Sequence, residues 1–163
     1  SIIKDFVVDG NIDIASFTET WLQHSDNISR FLHVPRENST GGGVGLLCKD
    51  TMHIRINTIQ QFESFEYIDC SLFNIENVRS IVIYRPPLSV ENKLTPALFF
   101  EEFSVFLELI ILFPGKLLIV GNFNFHVDDP NNHLARKFLS LLDSFNLHKI
   151  LSDPRTRTVT PWT

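Results

Sequence analysis

The chain has little cysteine, little basic charge and no long uncharged apolar run. Only Cys48 and Cys70 occur in 163 residues, and their spacing forms neither a metal knuckle nor a disulfide framework. Each lies in an apolar, strand-like run, so both read as buried free thiols, which fits a reducing compartment. Lys and Arg together number 14 against 19 Asp and Glu, a formal net charge of −5. A duplex-binding protein usually carries a basic stripe, because phosphate neutralisation drives its affinity. Here Arg79, Arg85, Arg155 and Arg157 are only local exceptions to the acidic balance, although a cleft that holds cations is acidic for that reason. The most apolar stretch, Leu94 to Phe113, is interrupted by Glu101, Glu102 and Glu108. It reads as a buried helix of a soluble protein and excludes a membrane span. Ser1 to Asp13 carries Lys4, Asp5, Asp9 and Asp13 and lacks the apolar core of a signal peptide. An intracellular location, nuclear or cytoplasmic, is therefore expected. The chain also opens without an initiator Met, so it is expected to be a fragment.

Hydrophobic residues make up 44% and charged residues 20%, which excludes a disordered chain. The length implies a single domain over residues 1–163, large enough for a core. Fifteen Phe mean that much of that core is aromatic area.

Leu117 to Val120 is a short apolar run with β-branched members, as expected of a strand buried on both faces. Gly121 ends it, and Asn122, Asn124, His126, Asp128 and Asp129 follow at once. A rigid strand that delivers polar side chains at its carboxyl end is a common way to build a site. The same residues also suit an ordinary turn, since Asn and Asp bond their own backbone.

Upstream, Ile12 to Phe17 reads as a strand that delivers Thr18-Glu19-Thr20-Trp21. Gln23 to Thr40 is polar and reads as a loop with a short helical turn. Gly41-Gly42-Gly43-Val44-Gly45 is not a phosphate loop, because no Gly-Lys-Ser/Thr follows. It reads as a tight entry into a strand from Val44 to Cys48. His53 to Ile59 alternates, and so does Phe65 to Phe73, with Ile68, Cys70 and Leu72 opposite Tyr67, Asp69 and Ser71. Such strands with short connections predict an antiparallel meander. Ser80 to Tyr84 is a further strand, stopped by Pro86 and Pro87. Tyr84 is either its last core residue or the first residue of a site.

Thr95 and Pro96 predict a helix start. Phe99, Phe103, Phe106, Ile110 and Phe113 recur at helical spacing as a core face, with Glu101, Ser104 and Glu108 outward. Pro114-Gly115 ends that helix. Leu134, Phe138, Leu141 and Phe145 predict a second one, started by Asp129-Pro130 or Asn132. Ser152 to Thr163 shows no periodicity. The sum is an α/β chain, a two-sheet sandwich with mostly antiparallel or mixed strands and outer helices.

Thr18-Glu19-Thr20-Trp21-Leu22, Gly41-Gly42-Gly43-Val44-Gly45-Leu46, Tyr84-Arg85-Pro86-Pro87 and Gly121-Asn122-Phe123-Asn124 stand in this order at the strand ends. The ordered set resembles the endonuclease/exonuclease/phosphatase superfamily, and within it the apurinic-type endonuclease domain of LINE-type (non-LTR) retrotransposons. The resemblance runs from about Asp13 to Pro154. It implies a four-layered sandwich, Mg²⁺ as cofactor, DNA as partner and phosphodiester hydrolysis as the ancestral reaction. By position, Glu19 matches the metal-binding Glu, Tyr84 the Tyr near the scissile phosphate, and Asn124 the Asn that orients the phosphate. His126 matches no role. Asn122 stands where the family has the Asp that deprotonates the attacking water. An amide has no basic site at neutral pH, so this substitution predicts impaired catalysis. The first strand and the late Asp and Asp-His motifs of the family have no counterpart, so the sandwich is expected to be incomplete, truncated at both ends. Two alternatives remain: an active hydrolase in which Asp128 or Asp129 replaces the lost carboxylate, and a non-catalytic nucleic-acid-binding or interaction domain.

Overall fold

A computed structural model describes residues 12–20, 31–34, 42–49, 51–73, 77–89, 92–127, 129 and 131–149. The tail from Ser152 and the side chain of Asp128 lie outside the described residues. The chain divides into two compact units, Ser1–Asn124 and Phe125–Thr163.

The first unit contains two sheets. In one, β1 (Ile14–Thr18) and β2 (Phe31–Val34) both pair antiparallel with β3 (Val44–Cys48). β2 corrects the expectation of a loop with a helical turn. Phe31-Leu32-His33-Val34 is a short β-branched and aromatic run that the polar residues around it conceal. In the other sheet the order is β4 (Ile54–Ile56), β5 (Glu66–Leu72), β6 (Val78–Tyr84) and β7 (Lys116–Asn122). β4 to β6 form the predicted meander, antiparallel throughout. β7 then pairs parallel with β6, which needs a crossover, and α1 (Pro96–Ile110) supplies it.

The two sheets pack face to face. Val44 and Leu46 of the small sheet meet Ile68, Cys70, Leu72, Val78, Val82 and Tyr84 of the large one, and Val120 packs against this cluster. The alternating pattern of β5 therefore reads correctly, with its apolar set facing inward. Cys70 is fully buried as a free thiol and Cys48 is half-buried. Burial pushes the Cys70 thiol up to about 12, so it stays protonated.

The opposite face of the large sheet carries the aromatic layer. Phe65 meets Phe99, Phe103 and Phe106 edge-on, and Tyr67 packs on Phe106. These Phe residues come from the predicted core stripe of α1, and Phe99, Phe103, Phe106 and Ile110 are completely buried. Thr95 caps the helix by accepting from the Leu98 N–H at 3.1 Å, with Pro96 in the first turn. Thr95→Ala is expected to lower stability by about 1 kcal/mol, measured as a shift in the urea unfolding midpoint.

β7 departs from expectation. Its residues are half-buried or exposed, and Leu118 retains 36% of its surface. Among the described residues it is an edge strand, and the strand buried on both faces is β6, where Ile81, Val82 and Ile83 are fully buried. An apolar run of four cannot distinguish the two positions, because β-branched residues suit both. β7 also continues through Gly121 to Asn122. Gly121 has φ +149°, and a Cβ there would lie 1.8 Å from the Ile83 carbonyl oxygen. Glycine is what lets β7 approach β6 closely enough to stay paired at its carboxyl end.

The second unit contains α2 (His133–Ser144), capped by Asn132 on the Ala135 N–H at 3.0 Å. Asn132 is one of the two expected starts. Phe138 is buried and its ring meets Phe125 at 5.3 Å. No helix among the described residues is long and apolar enough to cross a membrane.

Candidate active site

Three strands of the large sheet end in one polar row. In the antiparallel β5–β6 pair, Glu66 lies opposite Tyr84. In the parallel β6–β7 pair, Tyr84 lies beside Asn122. Register partners put their side chains on one face of a sheet. That face is the inner one, since Ile68, Val82 and Val120 lie two residues along the same strands and pack in the inter-sheet core. The row Glu66, Tyr84, Asn122 thus closes one end of the sandwich where the apolar filling stops.

Glu19 approaches this end from the small sheet. β1 ends at Thr18, which pairs with Val44. Glu19 follows in a left-handed conformation, φ 57°, and is exposed. The Thr20 N–H then donates to the Gly43 carbonyl at 3.4 Å. The Gly43 N–H in turn donates to Glu66 Oε2 at 2.6 Å. An unbroken chain of contacts therefore runs from the Glu19 turn, through Gly43, to the row on the large sheet. Gly42 and Gly43 both have φ 87°, which only glycine adopts readily. The glycine cluster thus serves as the strand entry expected of it, and its backbone also bridges the two sheets.

Asn122 is half-buried, and its Oδ1 accepts from the Asn124 N–H at 2.9 Å. This local bond holds Asn124 left-handed at φ 50°, a conformation that Asn tolerates. Asn124 Nδ2 donates to the Arg85 carbonyl at 2.6 Å, and the Arg85 N–H donates to the Asn122 carbonyl at 2.9 Å. The ends of β6 and β7 are therefore laced together beyond the last residue pair. The Arg85 side chain lies on the helix side, over the Phe99 ring at 5.0 Å, with a bond to the Phe123 carbonyl at 3.1 Å. Burial lowers its pKa from the usual guanidinium value.

Tyr84 is a core residue of β6 by its burial, 5% exposed, and its register places it between Glu66 and Asn122. His126 and Asp129 are exposed residues of the second unit. Glu66 belongs to this row and stands outside the ordered sequence motifs. Its signal was available: it lies two residues before Ile68, on the apolar face of an alternating strand, where a carboxylate requires a partner.

The donors at this end can be weighed against a divalent cation. Mg²⁺ prefers carboxylate oxygens and water. Among the described residues no group of three or more His, Cys, Asp or Glu could hold a metal ion. The Asn122 oxygen is engaged by Asn124, and one oxygen of Glu66 by Gly43. Among the described residues Asn122 and Glu66 do not by themselves make a resident Mg²⁺ centre, and Glu19 is the exposed carboxylate at the same end.

A two-sheet sandwich with an outer helix is consistent with the fold of nuclease- and phosphatase-type hydrolase domains. The model of the Endonuclease/Exonuclease/phosphatase family matches residues 1–163, and the chain belongs to that family. Its members are generally metal-dependent and generally act on nucleic acids. No curated protein matches the sequence.

Proposed function

We propose that this chain is a LINE-type retrotransposon endonuclease domain, with DNA as its partner, in which hydrolysis is impaired. The ordered motifs containing Glu19, Tyr84 and Asn124 support the retrotransposon reading. The impairment rests on Asn122. Phosphodiester hydrolysis needs a water stripped of a proton and a group that absorbs charge on the phosphate. Asn122 stands beside Tyr84, where the water's proton would be taken, and its only acceptor oxygen already serves the Asn124 amide. An amide can orient a water but cannot take its proton. Asn124, held left-handed, and Tyr84 remain suited to orienting a phosphate.

Purified full chain incubated with supercoiled plasmid and Mg²⁺ is expected to yield no nicked circle above the protein-free background. Mg²⁺-dependent nicking that Glu19→Ala abolishes would refute the impaired reading.

A further inference from the structure

We propose that Glu66 is the positioning residue of this site: its carboxylate holds the Gly42–Gly43 turn and, through it, the turn that presents Glu19. The proposal builds on the reading of this end of the sandwich as a phosphodiester site, and it concerns a residue that the ordered motifs do not contain.

Three observations carry it. First, Glu66, a member of the row Glu66, Tyr84, Asn122, is bonded across to the entry of the opposite sheet, 2.6 Å from its Oε2 to the Gly43 N–H. A carboxylate accepting from a backbone amide is a charge-assisted bond, stronger than a neutral one. Second, the peptide that donates to Glu66 is followed by the carbonyl that receives Thr20, since both groups belong to Gly43. Shifting Gly43 therefore shifts the acceptor of Thr20. Third, Glu19, the residue next to Thr20, has φ 57°. A side-chain-bearing residue stays left-handed only where its surroundings hold it there. The Thr18–Val44 pair holds the near side of Glu19, and Thr20 with Gly43 holds the far side.

Reach is what this role demands of position 66, with charge secondary. Gln has the reach of Glu without its charge, and Asp has the charge without the reach. The test compares the full chain with Glu66→Gln and Glu66→Asp, in the absence of DNA and divalent cation. In ¹⁵N-resolved spectra, Glu66→Gln is expected to shift Gly43, whose bond loses its charge assistance, and to leave the Glu19 and Thr20 amide resonances near their original positions. Glu66→Asp is expected to displace all three while the β5–β6 ladder amides stay in place. Adding Glu19→Gly removes the left-handed penalty and is expected to raise the folding equilibrium constant about fivefold. That gain should persist with Glu66→Gln and vanish with Glu66→Asp, where the turn is already released. The proposal is overturned if Glu66→Asp leaves the Glu19 and Thr20 amides unmoved, if Glu66→Gln displaces them, or if Glu19→Gly yields the same gain in every background. Because no hydrolysis is read, a chain that nicks DNA freely would defeat the impaired-nuclease reading and leave this result standing.

Discussion

Asn122→Asp is expected to lift plasmid nicking from the protein-free background to a measurable rate, because a positioned general base contributes about 10²- to 10⁴-fold. The substitution changes one atom's chemistry and little else. Asn122 Oδ1 accepts the Asn124 N–H at 2.9 Å, and a carboxylate oxygen at the same place accepts it equally well. The second carboxylate oxygen replaces the amide nitrogen and supplies the missing basic site beside Tyr84. The left-handed Asn124 and the bond from its Nδ2 to the Arg85 carbonyl should be undisturbed. The measurement is the initial rate of nicked-circle formation in Mg²⁺, compared with the unsubstituted chain and with Asn122→Asp/Glu19→Ala. An increase abolished by Glu19→Ala supports the assignment of both residues. No increase, in a variant whose unfolding midpoint is unchanged, refutes the view that the amide at position 122 is what limits hydrolysis.

The largest expected loss of stability lies away from the site. On the helix side of the large sheet, the Asp69 side chain is fully buried and pairs with Arg79, whose side chain is 12% exposed, at 2.5 Å. Arg79 Nε also donates to Asp69 at 2.9 Å, and Asn57 donates to the same carboxylate at 2.8 Å. The Phe113 ring covers the guanidinium, 5.6 Å from its centroid to Cζ. Two charges taken out of water gain little over an apolar pair, but removing one strands the other. Asp69→Ala is therefore expected to cost about 3–5 kcal/mol, a large share of the roughly 5–15 kcal/mol that holds a domain folded. Asp69→Ala/Arg79→Leu should cost less than Asp69→Ala, because no charge is left unpaired. Urea unfolding of the three proteins checks both statements. A double variant as unstable as the single one would show that the cost comes from lost packing instead.

This pair also shows what pattern reading misses. Alternation along β5 correctly separated Ile68, Cys70 and Leu72 from Tyr67, Asp69 and Ser71. Polar residues on the second face would ordinarily be assigned to water. Here that face is covered, so Asp69 and Ser71 are buried, 1% and 5% exposed. Whether a face meets solvent depends on what the rest of the chain lays over it, and α1 begins 24 residues after Leu72. β7 errs in the opposite direction. Its apolar run suggested the middle of the sheet, yet among the described residues it lies at an edge.

Local chemistry in the chain was enough to establish the two-sheet α/β class, the Phe-lined helix with its Thr95-Pro96 start, the free thiols and the strand ends bearing Glu19, Tyr84, Asn122 and Asn124. Those features depend on residue spacing and backbone preference over a few positions, which a sequence carries openly. Tertiary pairing alone decided that β6 and β7 run parallel with Tyr84 beside Asn122. It also decided that Phe31–Val34 is a strand and that Glu66 reaches Gly43 on the other sheet. Each of these joins residues far apart in the chain, and such a join is set by the register and packing of whole elements, which no short stretch encodes.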